Sequence, residues 1–369
     1  MLQERRTQLR RLALASVLSA SVMGPLVSSA GAQEAEWAAK NIPGLDAAVV
    51  QGACKEGALS LYNVVYRNEL RGLIEKFQKT FPCVKVSSFA ATGSALQQRF
   101  TSEQQAGRYE ADIWETTTPG VAPGLAQQGL LANYVPPNAD RVPRQFKQEG
   151  IWYGVGIDPI GIAWNTRMVT DQQKQVLASI TKWSDIANPA FKDSSGVVTA
   201  HSGGTAQLPW YYFKTELGLD FYKKLAELKP ALFDATSPSV DRLIAGDFAV
   251  LLHSPADNSV AGAWVKGAPL QWKFPSPGLA VPHFVSVVAK APHPNAARLF
   301  VAWSLSPEGQ QVWSSETGLA PVGPDVKDLR PQTKESWYKL PTEYWDVNWV
   351  ELTKGVPQMV KDFDAAFAK

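Results

Sequence analysis

Along the chain the spacing of apolar positions switches repeatedly between two and about 3.6. Ala58-Leu59-Ser60-Leu61-Tyr62-Asn63 alternates and predicts a strand. From Asn68, read as a helix cap, Leu70, Leu73, Ile74, Phe77 and Phe81 fall on one helical face. Cys83-Val84-Lys85-Val86 predicts the next strand. The three form a βαβ unit, whose right-handed crossover puts both strands in one parallel sheet. Thr92-Gly93-Ser94 then opens a helix through Leu96 and Phe100, and Ala111-Asp112-Ile113-Trp114 predicts a third strand. Glu115, Thr116 and Thr117 are expected beyond its carboxyl end, before a helix through Val121 and Leu125 that Gly129 closes.

The run from Ile151 to Asn165 is long, extended and glycine-rich, as a strand crossing between two lobes would be. Val197-Val198-Thr199 reads as a strand end, followed by the polar turn His201-Ser202-Gly203-Gly204-Thr205. That turn opens a helix with Leu208, Tyr211, Tyr212 and Leu217 at helical spacing, which Ser202 or Thr205 can cap. Phe248-Ala249-Val250-Leu251-Leu252 predicts a buried strand, with His253 to Asp257 beyond it. Phe284 to Ala289 is a second extended run and the expected return crossing. Helices follow through Ala296, Leu299, Phe300 and Trp303, after Ser306-Pro307, and in the tail through Val356, Met359, Val360, Phe363 and Phe367.

Ligands of parallel sheets bind beyond the carboxyl ends of the strands. This makes Asn63, Tyr66 and Arg67, then Glu115 and Thr116, and then His253 and Asp257 candidates to line a cleft. The turns carrying Thr92 and Ser94, and Ser202, Gly203, Gly204 and Thr205, are helix N-termini with unpaired N–H donors and partial positive charge, suited to an anion. For each the plain alternative is a helix cap or a solvated loop. Asp158 is read as capping the hinge, Arg242 as a surface residue, and Trp114, Trp164 and Trp210 as core.

The chain has 369 residues, enough for two lobes, and its net charge of +2 argues against a nucleic-acid partner, which needs a basic face. Arg5, Arg6, Arg10 and Arg11, the apolar run Leu12 to Val27 and Ala30-Gly31-Ala32 have the layout of a signal peptide over residues 1–32, with the mature protein starting at Gln33. The apolar run is too short and too broken to span a membrane, and the secretory and twin-arginine routes both stay open. Cys54 and Cys83 are the only cysteines. In an oxidising compartment they are expected to form one disulfide, the alternative being two buried thiols.

The order of these features resembles the periplasmic solute-binding proteins of ABC importers (extracellular solute-binding proteins, family 1-like). The similarity is to the group that holds the ferric-ion-binding proteins and their organic-anion-binding relatives. It covers roughly Ala58 to Pro321, and its most specific parts are Asp185-Ile186-Ala187-Asn188-Pro189 and Leu305-Ser306-Pro307-Glu308-Gly309-Gln310. The resemblance implies an α/β, type II periplasmic binding protein: two α/β lobes joined by two crossing strands, with a ligand cleft between them. Lobe one would comprise residues 33–156 and 282–325 and lobe two 157–281, with a helical tail over 326–369 packed on lobe two. It also implies that the two donor-bearing turns face each other across the cleft, and that the closed form docks on an inner-membrane ABC permease.

The ferric members carry adjacent tyrosines beyond the strand equivalent to Phe248–Leu252, where this chain has His253-Ser254-Pro255-Ala256-Asp257. Tyr211-Tyr212 sits inside a helix instead, and Tyr66 falls at the first-loop histidine of those proteins. The expectation is therefore a monomeric periplasmic receptor for a small organic anion (carboxylate, phosphonate or phosphate), with no cofactor and no bound metal. The competing readings are a ferric-ion-binding protein and an exported α/β enzyme. For an enzyme the sequence offers no nucleophile elbow, paired-histidine metal motif or P-loop.

Overall fold

The computed structural model describes residues 29–65 and 67–368. Most of the signal-peptide reading therefore lies outside the described residues; Ala30 to Ala32 stand in the first turn of the helix Ser29–Asn41. Tyr66 also lies outside them, as do the side chains of Arg67 and Asp257. No helix of the described residues is long and apolar enough to cross a membrane.

Among the described residues, ten strands form one continuous mixed sheet: β1 Ala58–Asn63, β2 Lys85–Ala90, β3 Ile113–Thr116, β4 Lys147–Gln148, β5 Trp152–Asn165, β6 Ser195–Val198, β7 Ala231–Phe233, β8 Val250–Pro255, β9 Leu270–Lys273 and β10 Leu279–Val287. The spatial order is β2-β1-β3-β10-β5-β8-β6-β7, with β4 and β9 both paired to β5. In lobe one β1 is parallel to β2 and to β3, as the βαβ pattern requires. In lobe two β6 is parallel to β7 and β8. Antiparallel β5 and β10 join the halves: β10 pairs with β3 and with β5, and β5 continues against β8.

Each lobe has its own core. In lobe one the helix Arg67–Thr80 buries Leu70, Leu73 and Phe77 on the face its spacing predicts. Phe77 meets Phe300 and Trp303 of the helix Pro294–Ser304, each at 5.1 Å between ring centres. Lobe two packs around Trp210, whose ring meets Tyr222, His253 and Phe363. Trp114 and Trp210 are core residues, as expected. Cys54 and Cys83 form a disulfide with 4.9 Å between Cα atoms, tying the helix Ala47–Glu56 to the approach to β2.

Where they change lobe the crossing strands run as a two-stranded ribbon, since β3 leaves β10 at Phe284 and β8 joins β5 at Ile160. Pro159 faces Ala280, and Pro282 faces Ile157. Both are non-hydrogen-bonded positions of this ribbon, so the missing proline N–H groups cost it no ladder bond. Ile157 exchanges backbone hydrogen bonds with Ala320 instead.

The tail touches both lobes. Its helix Trp349–Phe367 packs Phe363 against Trp210 at 4.9 Å, and Lys214 donates to Asp362 at 2.6 Å. On the lobe-one side a Cβ at Gly120 would run into the carbonyl oxygen of Trp349. Phe146 packs on Tyr344 at 5.2 Å, and Tyr212 of lobe two packs on Trp345 at 5.1 Å.

Four element boundaries differ from the sequence expectation. The helix after β1 starts at Arg67, so Asn68 lies in its first turn and is not its cap. β3 includes Glu115 and Thr116, which were expected beyond it. β8 runs on to Pro255 because Ser254 and Pro255 still pair with Gly161 and Ile160. The helix after the second turn is broken into a 3-10 turn Gly204–Ala206, an α-helix Gln207–Tyr212 and a π turn Phe213–Leu217, and no side chain caps the first two.

Candidate functional site

The carboxyl ends of β1, β2 and β3 form one edge, from which β10 departs toward lobe two. Asn63 ends β1 fully buried. Its Nδ2 donates to the carbonyls of Leu61 and Phe89 at 3.3 and 3.2 Å, stitching β1 to β2. Thr116 is also buried, and its hydroxyl meets that of Thr118 at 3.2 Å.

Glu115 is buried with both carboxylate oxygens engaged. Oε2 accepts from the Val64 N–H at 2.8 Å, and Oε1 lies 2.9 Å from His283 Nδ1 on β10. A carboxylate without water needs such donors, since an unpaired one costs several kcal/mol. Glu115 therefore fastens the loop after β1 to the crossing strand and does not project into solvent.

Thr92 and Ser94 are exposed at the start of the helix Gly93–Gln105. Thr92 has the extended backbone of a cap residue, yet its side chain makes no capping bond, which leaves the first-turn donors open. A Cβ at Gly93 would stand 4.0 Å from the Thr116 hydroxyl, so this turn rests beside the end of β3. In lobe two Gly203 and Gly204 are exposed, with Ser202 and Thr205 half-buried beside them. Gly204 takes φ 64°, a conformation that favours glycine and turns successive N–H groups toward one side. Just before them His201 Nε2 meets Asp364 of the tail helix at 2.7 Å.

His253 was expected in the cleft and is instead core. Because β8 continues past it, its ring is fully buried, edge-on to Trp210 at 5.1 Å and near Phe213 at 6.0 Å. Burial pushes its pKa down to about 3. Tyr211 and Tyr212 both pack on Trp345, and burial pushes both phenols up, away from the phenolate that ferric iron would need. Among the described residues, Glu34, Cys54 and Cys83 lie close enough to share an ion, but the two sulfurs are bonded to each other.

Besides the exposed His201–Asp364 pair, two histidine pairs with buried carboxylates were not foreseen. Asp112 accepts from the Ser60 N–H and from the His293 N–H, both at 2.7 Å, with His293 Nδ1 at 2.9 Å. This pair pins the amino end of β3. The second is Glu115 with His283, at the carboxyl edge. The visible signal for both was a charged residue inside, or a histidine beside, an otherwise apolar run.

Two α/β lobes joined by two antiparallel crossings define a type II periplasmic binding protein fold. The model of the bacterial extracellular solute-binding protein family matches residues 72–342, and the chain belongs to that family. A Haemophilus influenzae protein described only as uncharacterized is 25% identical over 300 residues, 74% of this chain and 80% of its own. Among solved structures, Trichodesmium IdiA (FutA) in complex with iron and citrate is 17% identical with a TM-score of 0.68, over 85% of this chain and 100% of that one. AfuA of Actinobacillus pleuropneumoniae, with fructose-6-phosphate bound, is 20% identical with a TM-score of 0.65, over 84% and 98%. The ferric binding protein of Campylobacter jejuni is 19% identical with a TM-score of 0.67, over 84% and 99%. At such identities the likeness is one of fold.

Proposed function

We propose that the chain is the periplasmic substrate-binding component of an ABC importer. In this reading it is exported as a monomer beginning near Gln33, takes a small organic anion into the interlobe cleft and delivers it to an inner-membrane permease. The observation that carries the reading is the pair of turns at Thr92–Ser94 and Ser202–Thr205, each following a parallel strand and each with donors left open. A helix end favours an anion by about 0.3–1 kcal/mol, up to ~2 when partly buried. Each donor to a charged oxygen adds roughly 1.5–3 kcal/mol. A few such bonds reach micromolar affinity, about 8 kcal/mol, after the entropy of association is subtracted.

The ferric alternative is less well supported. The Trichodesmium protein carries iron with citrate and the Actinobacillus protein a sugar phosphate, so this fold takes either kind of cargo. In this chain the adjacent tyrosines are packed on Trp345 and Glu115 is already engaged. The enzyme alternative lacks a nucleophile–base constellation at the carboxyl edge among the described residues.

A thermal-shift panel tests the reading. Ligand at a hundred times its dissociation constant adds ~2.7 kcal/mol, so organic anions are expected to raise Tm, and Ser94→Ala or Thr205→Ala to blunt the response. Tight ferric binding with a phenolate-to-iron absorption band, and no response to organic anions, would overturn it. Recovery of a chemically altered ligand would favour the enzyme.

A further inference from the structure

The Glu115–His283 pair has an orientation the anion reading alone does not use. Glu115 Oε1 accepts from Nδ1, so in the neutral ring the proton sits on Nδ1 and Nε2 keeps its lone pair. Nε2 has no partner among the described residues, and the side chain keeps 13% of its surface open. Pairing of β10 with β3 stops at Phe284 opposite Thr116, and a register shift falls between His283 and Phe284. His283 thus stands past the last paired residue of β3, at the edge where ligands of such sheets bind, and the shift re-aims its ring. The Asp112–His293 pair has the same chemistry at the opposite end of β3, where Asp112 also takes two backbone donors as a structural pin.

Resting on the anion reading, we infer that His283 contacts the ligand and that Glu115 is its positioning residue. The Nε2 lone pair repels an oxyanion and accepts from a hydroxyl. The acid group goes to the donor turns, and a hydroxyl of the same molecule donates to His283. The ligand class is therefore a hydroxyl-bearing organic acid, either a hydroxycarboxylate or a phosphorylated polyol.

The test uses matched pairs of probes: citrate against tricarballylate, and glycerol 3-phosphate against propyl phosphate. Binding is read by thermal shift and by ¹⁵N resonances of the four histidines. At least one hydroxyl-bearing member is expected to bind about tenfold tighter than its partner and to move the His283 Nε2 resonance, leaving buried His253 unchanged. His283→Asn keeps a donor for Glu115 and lacks Nε2. It is expected to melt as the wild type without ligand and to bind both members of the pair equally. Glu115→Gln is expected to lose the Nδ1–H signature of His283 and much of the preference. Equal binding of both members by the wild type, or a preference that survives in His283→Asn, overturns the inference and leaves the anion reading standing. If no probe raises Tm or moves any imidazole resonance, the anion reading falls too.

Discussion

His253 couples the core of lobe two to pH. Its folded pKa of about 3 lies below the ordinary value near 6.5, so the unfolded chain takes up the proton first. Its contribution to stability is complete above about pH 6.5 and declines as pH falls toward 3, by about 1.4 kcal/mol per unit. From pH 7 to 5 this residue alone is expected to remove about 2 kcal/mol. His253→Phe, set among Trp210 and Phe213, is expected to lose that much less over the same interval. Urea unfolding at the two pH values measures it, and equal losses in both proteins would refute a buried neutral imidazole. The sequence misassigned His253 because an apolar run seemed to end at Leu252, whereas pairing with Gly161 and Ile160 carries the strand onward. His283 was missed because its partner is 168 residues away and the run around it is apolar. Both errors concern tertiary pairing, which spacing along the chain does not encode.

At the scale of elements, the βαβ unit of lobe one was legible because alternation and helical spacing are both clean from Ala58 to Val86. The element after Ser202–Thr205 was legible in position but not in form. Pro209 removes a donor inside it, and Gly218 at φ 80° stops it after a π turn, so local apolar spacing overstated its regularity. The disulfide staples lobe one between the helix Ala47–Glu56 and the approach to β2, with a sequence separation of 29. In the chain-entropy model a loop of this size contributes about 3–4 kcal/mol. Denaturant unfolding with and without reductant is expected to differ by that amount, and Cys54→Ser/Cys83→Ser to match the reduced protein. An unchanged midpoint would show that the bridge does not form.

For the whole molecule, lobes and crossings followed from the order of strands and helices, but the placement of the tail did not. Residues 344–367 reach partners more than a hundred residues away in both lobes. Between the end of β3 pairing at Phe284 and the start of β8 pairing at Ile160 the lobes are joined by the β5–β10 ribbon, so closure is expected to pivot there. A probe that raises Tm is expected to reduce the radius of gyration in small-angle scattering. The tail gives this motion a mechanical counterpart. Trp349 bears on Gly120, shortly after the end of β3, and Asp364 holds His201, the residue before the lobe-two turn. At 1.5 Å per residue the stretch between them is a rod about 22 Å long. In the proposed function it would serve as a distance piece between the two rims, with Pro357 inside it as a point of compliance. Closure as proposed is expected to bend the rod at Pro357, because its far end is packed into lobe two through Phe363 on Trp210 and Asp362 on Lys214. Pro357→Ala stiffens the exposed point of compliance without touching a cleft residue, so it is expected to disfavour the closed form and lower affinity for the bound probe. Unchanged affinity and unchanged scattering in Pro357→Ala would mean that the rod rides with one lobe and sets no gap.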